Sequence, residues 1–221
     1  MKIYGYVQAG GGSTRFGKDK ALVELGGRSL LERTIGAMGG ACERVFIVAR
    51  PGKYMDYAGQ TLTDRWPGEG PLGGILTALH HLREGDCVPG NKPGTHEAEV
   101  SYALVLSCDL PFLTADWLAE LCSRAVSCDA QVVFPESSHG WEPLCACWRT
   151  DCLEEVEVAF NGGVRKVTEA MKRIRREVLD ESVWKRFDTD GHLFWNMNTP
   201  EDYEEAQRIW AERAAKNRQL E

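Results

Sequence analysis

Along the first 135 residues, short runs of consecutive apolar residues alternate with stretches of helical periodicity. The apolar runs Ile3–Ala9, Arg44–Ala49, Tyr102–Ser107 and Gln131–Phe134, with a weaker one at Gln60–Thr63, predict strands. Continuous apolar strands of this kind belong inside a parallel sheet, where both faces are covered. Between them, Leu30–Met38, Leu72–Leu82 and Ala115–Val126 predict helices. Ser29 caps the first of these, and Glu32, three residues on, completes a capping box, while Gly39 and Gly40 stop it. Thr114 caps the third. Further on, the pattern predicts a strand at Leu144–Trp148, helices at Asp151–Ala159 and Val164–Ile174, and a short extended piece at Phe194–Thr199. Pro200 then opens a closing helix over Glu201–Ala214, at the first position that proline favours.

This alternation predicts an α/β fold, a three-layer α/β/α sandwich around a Rossmann-like, mostly parallel sheet. Ligands of such sheets sit beyond the carboxyl ends of the strands. Three features fall there: the loop at residues 10–20, Asp64 with the turn Gly70-Pro71-Leu72-Gly73-Gly74, and Asp109. They are expected to converge. One domain over 1–221 is expected, with one half at 1–135, a second at 136–200 and a C-terminal helix at 201–221. Residues 83–100, rich in glycine, proline and charge, read as an enlarged loop because a core strand follows at once.

Composition narrows the function. The 221 residues carry 26 basic and 33 acidic side chains, a net charge of −7. A protein that wraps nucleic acid neutralises phosphates over a broad surface and is usually basic, so that class is excluded, whereas a small phosphorylated ligand is not. No apolar run approaches the ~20 residues that span a bilayer. The N-terminus lacks the pattern of a secretory signal, so a cytoplasmic location is expected. None of the 8 cysteines forms a C-x-x-C pair, and most are expected to be small buried hydrophobes.

The glycine-rich loop decides the chemistry. A dinucleotide fingerprint starting at Gly10 would need glycine where Arg15 stands. The P-loop pattern fits from Gly12 through Lys18, but Asp19 then occupies the place of the hydroxyl that holds magnesium. A third arrangement uses the whole stretch Val7-Gln8-Ala9-Gly10-Gly11-Gly12-Ser13-Thr14-Arg15-Phe16-Gly17-Lys18-Asp19-Lys20-Ala21-Leu22. Glycines let backbone N–H groups approach an anion, and Arg15 and Lys20 add positive charge beside a triphosphate. This stretch resembles the signature L-A-G-G-x-x-x-R-M-G-x-D-K of the molybdenum cofactor guanylyltransferase family, the MobA-like nucleotidyltransferases. Gly70-Pro71-Leu72-Gly73-Gly74, Cys108-Asp109-Leu110-Pro111, Glu142-Pro143-Leu144-Cys145-Ala146 and Asn196-Met197-Asn198-Thr199-Pro200 resemble its later motifs in order.

The resemblance implies a fold of the nucleotide-diphospho-sugar transferase type, with 1–135 as the nucleotide-binding half and 136–200 as the pterin-side half. The implied reaction passes GMP from GTP to the terminal phosphate of molybdopterin or molybdenum cofactor and releases pyrophosphate. Both reacting groups are phosphates, so no protein nucleophile is needed; positioning and cationic stabilisation lower the barrier. Lys20, Arg15 and Asp109 are the implied catalytic residues. Gln8, Ala9, Gly10, Gly11, Lys20, Asp64 and Gly73 would bind the nucleotide, and Glu142, Pro143, Asn196 and Asn198 would face the pterin. Mg²⁺ is the implied cofactor, on Asp109 and on Asn198 or, second, Asn196; the alternative for these asparagines is a cap on the last helix. Where the family often has an asparagine after its second strand, this chain has Val48-Ala49-Arg50. Implied protein partners are client molybdoenzymes or their chaperones. The basic residues Arg165, Lys166, Lys172, Arg173, Arg175 and Arg176 would receive a phosphate or a partner, or simply form a solvated face. Trp141 and Trp148 would stack on a pterin or pack as core. Two other readings remain: a cytidylyltransferase or sugar-phosphate nucleotidyltransferase of the same fold, and a non-catalytic module that binds nucleotide and cofactor.

Overall fold

The computed structural model describes residues 1–9, 19–54, 56–57, 60–85 and 100–218. Gly10, Gly11, Arg15 and most of the 83–100 loop therefore lie outside the described residues. In chain order the elements begin with β1 (Lys2–Gln8), a single 3-10 turn (Lys20–Leu22), β2 (Glu24–Leu25), β3 (Arg28–Ser29) and α1 (Leu30–Met38). There follow β4 (Arg44–Ala49), β5 (Thr61–Thr63), α2 (Pro71–Glu84), β6 (Ser101–Ser107), α3 (Ala115–Ser127), β7 (Val132–Ser137), β8 (Gly140–Trp141) and β9 (Cys145–Arg149). The chain closes with α4 (Leu153–Asn161), α5 (Val167–Met171), β10 (Arg176–Leu179), α6 (Glu181–Trp184) and α7 (Pro200–Arg218).

The main sheet runs β10-β7-β9-β6-β1-β4-β5, with β8 paired on β7. β4 and β6 flank β1 in parallel, β5 extends β4, and β10 runs parallel to β7. β9 lies antiparallel between β6 and β7. Alternate residues of the central strands enter separate cores, as a period of two requires. On one face, Val7, Leu104 and Leu106 pack with Leu31 and Met38 of α1 and Trp117, Leu118 and Leu121 of α3. On the other, Tyr6, Ala103 and Val105 pack with Leu72, Ile75 and Leu79 of α2 and with Leu153, Val156 and Phe160 of α4. These are the three layers that the periodicity predicts.

The helix ends follow their local sequence. Ser29 and Glu32 make the full capping box of α1, and the Thr114 side chain accepts from the Trp117 N–H at the start of α3. Other segments depart from the predicted pattern. The helix predicted over Val164–Ile174 shrinks to α5, because Arg175 turns back to the sheet. Its carbonyl accepts from the N–H groups of Gln131 and Val132 at 2.7 and 3.2 Å, and β10 follows. Tertiary pairing here overrides a helical pattern. Phe194–Thr199 joins no strand; its sheet-like bond is Met197 N–H to the Asp109 carbonyl, 2.9 Å. Among the seven described cysteines, all free thiols, Cys108, Cys122, Cys145, Cys147 and Cys152 are buried. Burial pushes the Cys145 thiol up to about 12, which keeps it protonated and unreactive. No described helix is long and apolar enough to cross a membrane.

Candidate active site

Strand register brings distant segments to one edge. Gln8, the last residue of β1, lies opposite Val48 of β4 and Ser107 of β6. Asp109 follows β6 by two residues, and Asp64 follows β5 by one. Because β9 is antiparallel to β6, with Leu106 opposite Cys145, the segment before β9 comes to the same edge. The Ser107 N–H donates to the Leu144 carbonyl there, at 2.9 Å.

Lys20, Asp109 and Asn198 meet at this edge. The Lys20 ammonium donates to Asn198 Oδ1 at 3.0 Å and stands 3.7 Å from Asp109 Oδ2. Its side chain is only 12% exposed, against 25% for Asp109, so water screens the pair only partly. Each partner is held from behind. Asp19 caps the 3-10 turn by accepting from the Ala21 N–H, and Ala21 itself is buried. One small apolar cluster joins Leu25, five residues after Lys20, with Phe112, three after Asp109, and Met197, one before Asn198. Leu30 of α1 and Ala206 and Ile209 of α7 complete that cluster. The C-terminal helix thus presses the three site segments together.

The residue that caps α7 is Thr199, not Asn198. Thr199 Oγ1 accepts from the Asp202 N–H at 3.1 Å, and the Asp202 carboxylate accepts from the N–H groups of Asn198 and Thr199 at 2.6 and 2.8 Å. The backbone bond from Asn198, followed by those from Thr199 and the nearby Lys20 charge, holds the Asp202 carboxyl below its ordinary value despite some burial. Asn198 is left free to turn its amide toward Lys20. Asn196 instead makes a long 3.5 Å contact with the Phe194 carbonyl, so of the two asparagines the structure brings Asn198 to Lys20.

The described residues expected to bind the nucleotide lie along the β1, β5 and α2 ends. Gln8 donates to the Pro71 carbonyl at 3.0 Å, and its amide packs so closely on Gly74 that a Cβ there would stand 3.0 Å from it. Gly73 meets the Trp66 backbone, where a Cβ would sit 3.2 Å from the Trp66 carbonyl oxygen. Its observed task is this close approach. Asp64 Oδ1 accepts from the Trp66 N–H at 3.0 Å and lies 3.1 Å from Thr77 Oγ1, tying the turn after β5 to α2. Ala9 donates its N–H to the Val48 carbonyl at 3.1 Å. After residue 18 the chain makes one 3-10 turn and then β2, not the helix that a P-loop launches.

Across the edge, Glu142 is 8% exposed and accepts from Ser137 Oγ at 2.6 Å. Burial raises its carboxyl above the ordinary range; Ser137 and His139 pull it down, and the Asp109 charge pushes it up. Glu142 reaches this edge through the turn before β9, where its carbonyl accepts from the Cys145 N–H at 3.0 Å. Pro143 follows it in the same turn. Trp148 is fully buried, which removes it as a stacking surface, whereas Trp141 is half-buried against Phe134. The basic cluster disperses into local pairs: Arg165 with Glu69, Lys172 with Glu169, and Arg175 with Asp129 and Asp151.

The sequence reading missed three supports of the site: Asp202, and Tyr54 and Lys53, whose hydroxyl and ammonium hold the Asp19 carboxylate beside Lys20. Asp202 was findable, since Thr199-x-x-Asp202 has capping-box spacing. Tyr54 carries no local signal.

A family model for the MobA-like NTP transferase domain matches residues 5–177. The chain belongs to this family. A molybdenum cofactor guanylyltransferase of Desulfosudis oleivorans is 30% identical over 207 residues, covering 93% of this chain and 94% of the relative. Two solved structures share the fold. Molybdopterin-guanine dinucleotide biosynthesis protein A of Archaeoglobus fulgidus aligns with TM-score 0.76 at 23% identity, covering 95% of this chain and 99% of that one. The 2-C-methyl-D-erythritol 4-phosphate cytidylyltransferase of Thermus thermophilus aligns with TM-score 0.63 at 15% identity, covering 96% and 100%. This MobA-like chain is a nucleotidyltransferase.

Proposed function

We propose that the protein transfers GMP from GTP to the terminal phosphate of molybdopterin or molybdenum cofactor. An acceptor phosphate oxygen attacks the α-phosphorus, the bond from that phosphorus to the bridging oxygen breaks, and pyrophosphate leaves with the electron pair. No proton has to move and no covalent enzyme intermediate forms. The observation that carries the reading is the convergence of Lys20, Asp109 and Asn198 at the strand edge between the β1 exit and the Glu142 segment. The name of the Desulfosudis relative supports guanine and the molybdenum cofactor as the substrates.

In this reading the Lys20 ammonium neutralises the departing pyrophosphate, and Arg15 assists from the loop. The backbone of Gln8, Ala9, Gly10 and Gly11 borders the nucleotide, Asp64 orients its base or ribose, and Gly73 keeps the α2 turn close. Glu142, Pro143 and Asn196 face the pterin. Mg²⁺ fits the donor set. Two hard oxygens, Asp109 Oδ2 and Asn198 Oδ1, already converge on one cation, the Lys20 ammonium. Magnesium would take its remaining ligands from phosphate and water. When bound it supplies charge neutralisation of the phosphates.

The test is pyrophosphate release with GTP, molybdopterin and Mg²⁺, beside a thermal-shift series with GTP, CTP, UTP and ATP. Selective stabilisation by GTP and loss of turnover in Asp109→Ala are expected. Selective stabilisation by CTP would reassign the base, and nucleotide binding without pyrophosphate release would make the protein a carrier.

A further inference from the structure

Tyr54 stands outside every motif, yet it is 9% exposed and sits at φ = +55°, a region that bulky side chains rarely enter. Such a conformation persists only where the surroundings enforce it. Its carbonyl accepts from Thr61 Oγ1 at 3.0 Å and from the Tyr57 N–H at 3.0 Å. This backbone directs the phenol inward. The hydroxyl lies 2.8 Å from Asp19 Oδ1 and 3.0 Å from the Ala9 carbonyl oxygen, and its one proton is shared between them. Ala9 follows β1, and Asp19 caps the turn that carries Lys20. Asp19 is gripped from its other oxygen by the Lys53 ammonium at 3.0 Å.

We propose that Tyr54 is a positioning residue for Lys20, its hydroxyl tying the end of β1 to the Asp19 carboxylate that caps the Lys20 turn. A lysine stem has four rotatable bonds, so its ammonium is aimed only if the backbone beneath it is fixed. Asp19 fixes that backbone through the Ala21 N–H, and Tyr54 fixes Asp19. Without the hydroxyl, the carboxylate is free to rotate toward Lys53, which is more than half exposed, and the cap loosens. The protonation states suit the task. Burial and then the bond to Asp19 push the phenol far up, so it remains a donor. Burial raises Asp19, but bonds from Lys53, Tyr54 and Ala21 outweigh it, so it remains an acceptor.

The inference rests on the reading that Lys20 meets phosphates, and its test uses a probe without base or pterin. Calorimetry measures inorganic tripolyphosphate binding to wild type, Tyr54→Phe, Lys20→Ala and the double variant. Phenylalanine keeps the ring and loses the hydroxyl. Tyr54→Phe should weaken binding about 10-fold when Lys20 is present, the scale of one charge-assisted hydrogen bond. It should change binding less than about 2-fold in the Lys20→Ala background, because residues that act through one another are not additive. Equal losses in both backgrounds, or none in either, overturn the assignment. Should Tyr54→Phe fail to fold, Asp19→Asn replaces it in the same cycle with the same expectation. A positive cycle in a protein that releases no pyrophosphate from GTP and molybdopterin would count against the proposed reaction and leave the role of Tyr54 standing.

Discussion

Replacing Lys20 by methionine should move cation affinity and turnover in opposite directions. In the free protein the ammonium sits between Asn198 Oδ1 at 3.0 Å and Asp109 Oδ2 at 3.7 Å, the two oxygens proposed to hold a divalent ion. Any ion that enters must first displace it. Breaking a hydrogen bond to a charged group costs about 1.5–3 kcal/mol, so Lys20 should weaken divalent binding by roughly 10–150-fold in the absence of nucleotide. Methionine keeps much of the stem and its packing while removing the charge. Nucleotide-free Lys20→Met should therefore bind Mn²⁺ about 10–150-fold more tightly than wild type, measured by the loss of the free-ion signal in electron paramagnetic resonance. The same variant should turn over about 10–150-fold more slowly, because the leaving pyrophosphate loses the cation proposed to neutralise it. Lys20→Met combined with Asp109→Asn should lose the gain in Mn²⁺ affinity. Equal Mn²⁺ affinity in wild type and Lys20→Met would refute the idea that the ammonium holds the ion's place.

Two predictions concern the frame of the site. At Gly26, φ is +58° and a Cβ would meet Trp210 Nε1 at 2.0 Å, whereas at Gly27, φ is +76° and nothing lies within 4 Å. Gly26→Ala should thus cost more than the backbone strain of about 1–3 kcal/mol that Gly27→Ala alone pays, read as a lower urea midpoint; equal midpoints would show that the Trp210 contact is dispensable. Asp190 is gripped through two hydrogen bonds by Arg213 of α7, at 2.6 and 2.7 Å, and chiefly for that reason its carboxyl falls to about 2. A folded-state value depressed below the unfolded one stabilises above about pH 4 and is lost as pH falls through about 2. After allowance for partial exposure, Asp190→Asn should cost about 1–2 kcal/mol at pH 7. The gap in melting temperature from wild type should close between pH 4 and pH 2, and a constant gap would contradict the linkage.

What the sequence determined by itself was everything encoded in short spacings. The capping box at Ser29 and Glu32, the Thr114 cap, the Pro200 start of α7 and the apolar strands all rest on contacts within three or four residues or on a period of two. The order of motifs sufficed for the family, and strand-end logic for the edge where Lys20 and Asp109 meet. Only the tertiary structure decided which groups touch. Lys20 and Asn198 are 178 residues apart, and nothing near either residue specifies that Leu25, Phe112, Met197 and Ile209 share one apolar cluster that brings them together. The choice of Asn198 over Asn196, the burial of Trp148, the melting of α5 into β10 and the reach of Tyr54 to Asp19 follow from the same cause. Each depends on the free energy of packing and pairing between distant segments, which competes with local preference and is invisible to any window narrower than the fold.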